Sequence, residues 1–184
     1  MRNSPRQLAL DVLDRLQRSG ELLDPIVEEV MAGAPFADSR DRALFHTLVY
    51  GTLRWRGRLD WIIGHFSKTP LKKIDPAVIN ILRLGLFQVV FLDRIPVSAA
   101  VNTSVQLAKA SAPSWVAGFV NALLRNAAKN WKQVPLPDPK RFPDRYLAVY
   151  GSFPAWMVRR WISRFGFEEA KCLCSAVNQI PPIT

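Results

Sequence analysis

The sequence predicts an all-α protein: a helical bundle packed around one buried central helix, followed by a short helical segment. Three observations carry that expectation. Apolar residues recur with a 3.6-residue period along the chain and never alternate as in a strand. The run Val78–Val90, VINILRLGLFQVV, has ten apolar residues in thirteen and continues through Phe91 and Leu92. Apolar side chains all the way round mark a helix covered on every side. Its longest uncharged stretch, Leu84–Leu92, is far shorter than the roughly 20 residues of a bilayer span. Finally, proline and glycine punctuate the chain where helices should start and stop.

In order, Ser4-Pro5-Arg6-Gln7 is a capping box with proline at the first helical position. The helix it opens shows Ala9, Val12, Leu13 and Leu16, and Gly20 stops it. A second starts at Asp24-Pro25 and carries Ile26, Val27, Val30 and Met31; Gly33–Asp38 is a loop. Asp38 or Ser39 caps a third, with Leu44, Phe45, Leu48 and Val49 inward. Gly51 and Gly57 argue against one unbroken helix through Trp55. Trp55, Leu59, Ile62, Ile63 and Phe66 form the stripe of a fourth. Asp75-Pro76 starts the central helix, and its Gly85 should let a neighbour approach closely. Asp93–Pro96 turns into a sixth helix, Ser98–Lys109. Pro113-Ser114 begins a seventh through Val116, Phe119, Val120, Leu123, Leu124 and Ala127. Seven helices thus make the bundle, residues 1–133.

Four prolines (Pro135, Pro137, Pro139, Pro143) fall within residues 134–143, and proline cannot continue a helix. A linker is expected there. Over 144–184, Asp144–Tyr150, Pro154–Phe165 and Phe167–Val177 look like three short helices. The extended end, Ile180-Pro181-Pro182-Ile183-Thr184, reads as a cut. No signal peptide opens the chain, so a cytoplasmic place is expected, with no membrane partner.

Little in the sequence suggests catalysis. His46 and His65 have no Cys, Asp or Glu at ligand or triad spacing and read as helix-surface or half-buried residues. Cys172 and Cys174 give neither a disulfide framework nor a zinc set, and Cys174 shares a stripe with Ala170, Leu173 and Val177. No catalytic and no metal site is expected. Asn102 and Asn121 lie in apolar stretches and should form an internal hydrogen-bond network. Arg83 on the central helix must reach solvent or a carboxylate.

Binding is better supported. The 25 basic and 15 acidic residues leave a net charge of +10, which favours polyanionic partners, nucleic acid before membrane. Of this, +6 falls in Arg40–Lys73, from Arg40, Arg42, Arg54, Arg56, Arg58, Lys68, Lys72 and Lys73 against Asp41 and Asp60. On the fourth helix Arg54, Arg58, Trp61 and His65 share a face, with Arg56 away from it. Guanidinium groups beside an indole suit RNA, holding phosphates while a base stacks. The competing reading is a solvated basic face with Trp61 at the core edge. Arg2 and Arg6 flank the amino end of the first helix, where free amides favour phosphate. On the ninth helix Arg160 and Arg164 share a face with Trp156, and Arg159 lies beside it. Met157, Val158, Trp161, Ile162 and Phe165 should pack, and Trp156 either stacks on a base or docks one domain on another.

The series ILRLGLFQVVFLDRIPVSAAVNTSVQLAK and GFVNALLRNAAK resembles the NusB family, all-helical RNA-binding proteins named for a transcription antitermination factor. The likeness covers about residues 4–132, including Leu82, Arg83, Pro96, Ala100-Val101-Asn102 and Phe119-Val120-Asn121. Further, LVYGTLRWRGRLDW (Leu48–Trp61) and the tail from Tyr150 to Thr184 resemble the RsmB (Sun, Fmu) family of bacterial 16S ribosomal RNA cytosine-5 methyltransferases. There a NusB-like domain and a small helical subdomain precede a catalytic domain that binds S-adenosylmethionine. The resemblance implies an RNA-binding amino-terminal module that positions 16S ribosomal RNA for a catalytic domain absent from this chain. No cofactor is then expected in these 184 residues, and S-adenosylmethionine is expected for the parent protein. In such enzymes one cysteine attacks C6 of cytosine, C5 takes the methyl group, and a second cysteine resolves the adduct. Cys172 and Cys174 match neither. The partners implied are small-subunit ribosomal RNA and the parent's own carboxy-terminal domain, with a protein partner also open. The alternative is a stand-alone NusB-type antitermination factor or protein-docking module, and a helical scaffold whose charge serves solubility is a third reading.

Overall fold

A computed structural model describes residues 4–33, 36 and 38–179. Arg2, part of the loop after Gly33, and the Ile180–Thr184 ending lie outside the described residues. The helices are α1 (Pro5–Ser19), α2 (Leu23–Gly33), α3 (Ser39–Arg54), α4 (Arg56–Phe66), α5 (Pro76–Phe91), α6 (Val97–Ser111), α7 (Ser114–Asn130), α8 (Pro143–Tyr150), α9 (Ala155–Phe165) and α10 (Phe167–Asn178). Two 3-10 turns, Leu71–Lys73 and Trp131–Gln133, join them. Among the described residues there is no strand. The all-α expectation holds.

The start signals act largely as their chemistry predicts. Ser4 Oγ accepts from the Gln7 N–H at 3.2 Å, and Gly20 ends α1 at φ +68°. Only half of the capping box forms, because the Gln7 amide donates to Asp11 instead. Asp38 caps α3 through the Asp41 N–H, and Asp75 caps α5 through Ala77 and Val78. α3 and α4 part at Trp55, whose ψ of 13° leaves the helical range. Gly51 is not the break: it lies within α3, where a side chain would collide with the Phe87 ring.

α5 is the axis. Every residue from Val78 to Gln88 is buried, and α1, α3, α4, α6 and α7 all pack on it. Truncating a fully enclosed leucine such as Leu82 or Leu84 would cost about 2–5 kcal/mol. A Cβ on Gly85 would lie 2.5 Å from Ser104 Oγ and 2.7 Å from Leu124 Cδ1. The missing side chain is what admits α6 and α7.

Arg83 reaches a carboxylate. Its Nε and Nη2 donate to the two oxygens of Asp60 on α4 at 2.7 and 2.8 Å, and Nη1 donates to Asn80 at 2.9 Å. The Asn80 amide donates in turn to Asp14 and Gln17 of α1. This polar network differs from the expected one. Asn102 is exposed and Asn121 only accepts from Arg125 one turn on, because both lie on outer faces of their helices.

Two separate clusters of apolar side chains result. The first fills the bundle and includes Val134. The second joins α8, α9 and α10 through Leu147, Val158, Ala170 and Cys174, with Tyr146, Phe153, Trp161 and Ile162 against them. Cys174 is a core residue as its stripe implied; Cys172 is exposed. Phe165 and Val177 depart from the expected packing side and stand about half exposed.

Candidate nucleic-acid interface

The basic residues divide into those that present free charge and those that the fold has used. Arg40 and Arg42 stand exposed in the first turn of α3, and Arg54 in its last. Lys72 and Lys73 stand exposed on the turn before α5. Arg160 and Arg164 are exposed on α9, with Arg164 over the Phe165 ring. Trp156 there is 59% exposed, open to stacking. None of these cations is in an ion pair among the described residues.

Four expected contact residues are already engaged. Arg6 is half-buried and its Nε donates to Gln88 Oε1 at 2.7 Å, which clamps α1 to the axis helix. Burial lowers its pKa, and Asp41 opposes that. Arg159 pairs with Asp144 at 3.3 Å across α9 and α8. Trp61 packs against the bundle's own apolar cluster, and Arg58 lies near Tyr146 and Tyr150 of α8. The Trp61 indole N–H donates to the Pro135 carbonyl at 2.9 Å, and Arg145 lies over its ring. Burial lowers the Arg58 pKa while Tyr146 and Tyr150 raise it, and one terminal nitrogen is buried without a partner.

The shared face of Arg54, Arg58, Trp61 and His65 is therefore not an open one. The break at Trp55 puts Arg54 on a different helix, and α8 packs on α4. His65 remains exposed beside Phe66. Arg56 is away from that face as expected, exposed, with Arg83 and Asp60 near it. Burial and then Arg83 lower its pKa, against Asp60.

Arg6 touches the far end of α5 from Lys72 and Lys73. The twelve residue steps from Pro76 to Gln88 give a separation of about 18 Å at 1.5 Å per residue. A strand contacting both ends would lie extended along the bundle. The sequence reading overlooked Trp115, which is 71% exposed over a cleft of about 330 Å³ with Lys73 and Phe119. Its signal was available: Trp115 falls off the stripe of Val116, Phe119, Val120 and Leu123.

A sequence model described as the NusB family matches residues 3–129. The chain belongs to the NusB family. That match spans α1 to α7, the whole NusB bundle around the axis helix. Beyond this, the chain is 35% identical over 181 residues to a probable ribosomal RNA small subunit methyltransferase B of Bacillus subtilis, covering 98% of this chain and 39% of the relative. It is 32% identical over 183 residues to a protein of the same description from Synechocystis, covering 98% and 40%. The chain thus spans about two fifths of the length of these relatives. Two solved structures share the NusB-type helical fold. One, described as the crystal structure of a plectonemic RNA supercoil, superposes with a TM-score of 0.66 at 24% identity over 73% of this chain and 98% of the other. The second, described as the crystal structure of PH0851, has a TM-score of 0.69 at 16% identity over 96% and 39%.

Among the described residues of this NusB-family chain no three His, Cys, Asp or Glu side chains could hold a metal ion. No described helix is long and apolar enough to cross a membrane. The residues present do not fit S-adenosylmethionine: no strand leads into a glycine-rich loop and helix among them, the arrangement that would cradle such a cofactor.

Proposed function

We propose that this chain is the RNA-binding part of an S-adenosylmethionine-dependent ribosomal RNA cytosine-C5 methyltransferase of the cytoplasm. On this reading it holds small-subunit (16S) ribosomal RNA for the protein's own catalytic domain. One observation carries the reading: likeness to the ribosomal RNA methyltransferases runs over 181 residues, through α8–α10, whereas the NusB match ends at residue 129. A stand-alone antitermination-type factor gives no reason for that extended likeness. Residues 1–133 are then the RNA-binding bundle, 134–143 the linker, and 144–184 the approach to the catalytic domain. Contact falls first to the exposed, unpaired cations Arg40, Arg42, Arg54, Lys72, Lys73, Arg160 and Arg164, with Trp156 as a stacking surface. Arg6, Arg58 and Trp61 serve chiefly by holding the surface in shape.

Titration of a single-stranded fragment of small-subunit ribosomal RNA at several salt concentrations tests this. Each phosphate contact on a single strand contributes a slope of about −0.7 in log K against log salt. The combined variant R40E/R42E/K72E/K73E should stay folded, bind at least tenfold more weakly at low salt, and show a shallower slope. Absence of binding at low salt, or binding indifferent to salt, overturns the proposal.

A further inference from the structure

Trp115 stands in the first turn of α7, and among the described residues no cation lies over its indole. A lone exposed ring would need no explanation. This one borders the cleft of about 330 Å³ between the start of α5 and the start of α7, whose floor is Ile74, Val78, Val116 and Phe119. One helical turn on from Trp115, Gly118 carries no side chain, and nothing lies within 4 Å of where one would begin. α7 therefore leaves the indole uncovered on that side.

Lys73 lines the cleft and Lys72 precedes it, both exposed and in no ion pair among the described residues. Asp75 is the one carboxylate of the lining, and one of its oxygens accepts from the Ala77 and Val78 amides. The amino end of α5 thus offsets its charge, and the two lysines leave the rim positive. An exposed aromatic ring, an apolar floor and cations at the rim suit a nucleotide: the base stacks while an ammonium holds the phosphate. An apolar side chain of a protein partner would fill the floor and leave both lysines unanswered. The volume sits at the lower end of the roughly 300–1,000 Å³ of small-molecule clefts, room for one nucleotide. A paired base has both faces covered by its neighbours in the stack, so only an unpaired base can reach the indole.

We propose that this cleft is a base-binding subsite for single-stranded RNA, in which one unpaired base stacks on Trp115 and its phosphate meets Lys73. The proposal rests on the RNA-binding reading and adds that the chain tells an unpaired strand from a paired one. Exposed cations alone would favour the duplex, with its higher charge density.

The test titrates the wild type, Trp115→Ala, Trp115→Phe and Lys73→Gln with a single-stranded fragment of small-subunit ribosomal RNA and with the same strand annealed to its complement. Trp115 is exposed, so both of its variants should melt within about 2 °C of the wild type. Trp115→Ala should bind the single strand at least about fivefold more weakly, the scale of one lost base–ring stack, with its salt slope unchanged. Trp115→Phe, which keeps a ring, should recover part of that loss. Lys73→Gln should instead make the slope shallower by about 0.7, one phosphate contact. Affinity for the duplex should be the same in the wild type and both Trp115 variants. Single-stranded RNA should also quench tryptophan fluorescence more in the wild type than in Trp115→Phe, which retains the other five indoles. Equal single-strand affinity in the wild type and Trp115→Ala overturns the proposal, as does an equal loss on the duplex. In either case, RNA binding by the wild type leaves the RNA-binding reading standing on the exposed cations. Failure of the wild type itself to bind the single strand at low salt brings down both.

Discussion

Ser152, beyond the proline-rich stretch, caps a helix of the bundle: its Oγ accepts from the Gly57 N–H at 2.7 Å and from the Arg58 N–H at 3.3 Å. α4 has no side-chain cap of its own, since the residue before it is Trp55. Two of its free amide hydrogens are thus met from 95 residues away. Ser152 adopts φ +60° to do so, the one non-glycine residue described at positive φ. With the Trp61 bond to Pro135, this contact fastens the α8–α10 unit to the bundle.

Ser152→Ala should therefore destabilise the protein by about 1 kcal/mol, the usual cost of losing a helix cap. Ser152→Gly should cost less, because glycine accepts positive φ freely and relieves what the serine bears. Urea unfolding of the three proteins checks the order. Amide exchange at Gly57 and Arg58 should quicken in both variants, and an unchanged exchange rate would show that the cap is idle.

Asp14 gives the protein a pH dependence of known sign. Burial raises its carboxyl pKa above the usual 3.8, more than the hydrogen bond from Asn80 and the nearby Arg18 lower it. The folded state then binds the proton more tightly than the unfolded state. Stability from this group is present in acid and falls as pH rises above about 3.8 through the folded-state value. Asp14→Asn keeps an oxygen for the Asn80 amide and removes that loss. The variant should be at least as stable as the wild type at pH 7, with the difference shrinking towards pH 3.5. A difference independent of pH would contradict the assignment.

The two cysteines should react very differently. Cys172 is exposed, whereas Cys174 is fully enclosed and burial pushes its thiol pKa up. A thiolate-trapping reagent at pH 8 should modify Cys172 within minutes and Cys174 only as fast as α8–α10 open. Denaturant should bring the count of reactive thiols from one to two.

The sequence alone determined the helices, their starts and the axis, because each rests on local chemistry. Ser4, Asp38 and Asp75 cap within three residues of themselves, and an all-round apolar run has one physical solution in water. The family was legible for the same reason, in contiguous runs around Leu82–Arg83 and Phe119–Asn121. What helical spacing could not decide is which outward face stays open once distant segments return. Arg58 and Trp61 have the pattern of a binding face, yet α8, Pro135 and Ser152 come back to cover them. Arg6 has the placement of a phosphate contact, yet a glutamine 82 residues on holds it. Arg56, set apart from the expected face, stays exposed with Arg83 and Asp60 near it. Local hydrogen bonds and apolar period fix a helix; the partners of its polar face lie far along the chain, and only packing brings them together.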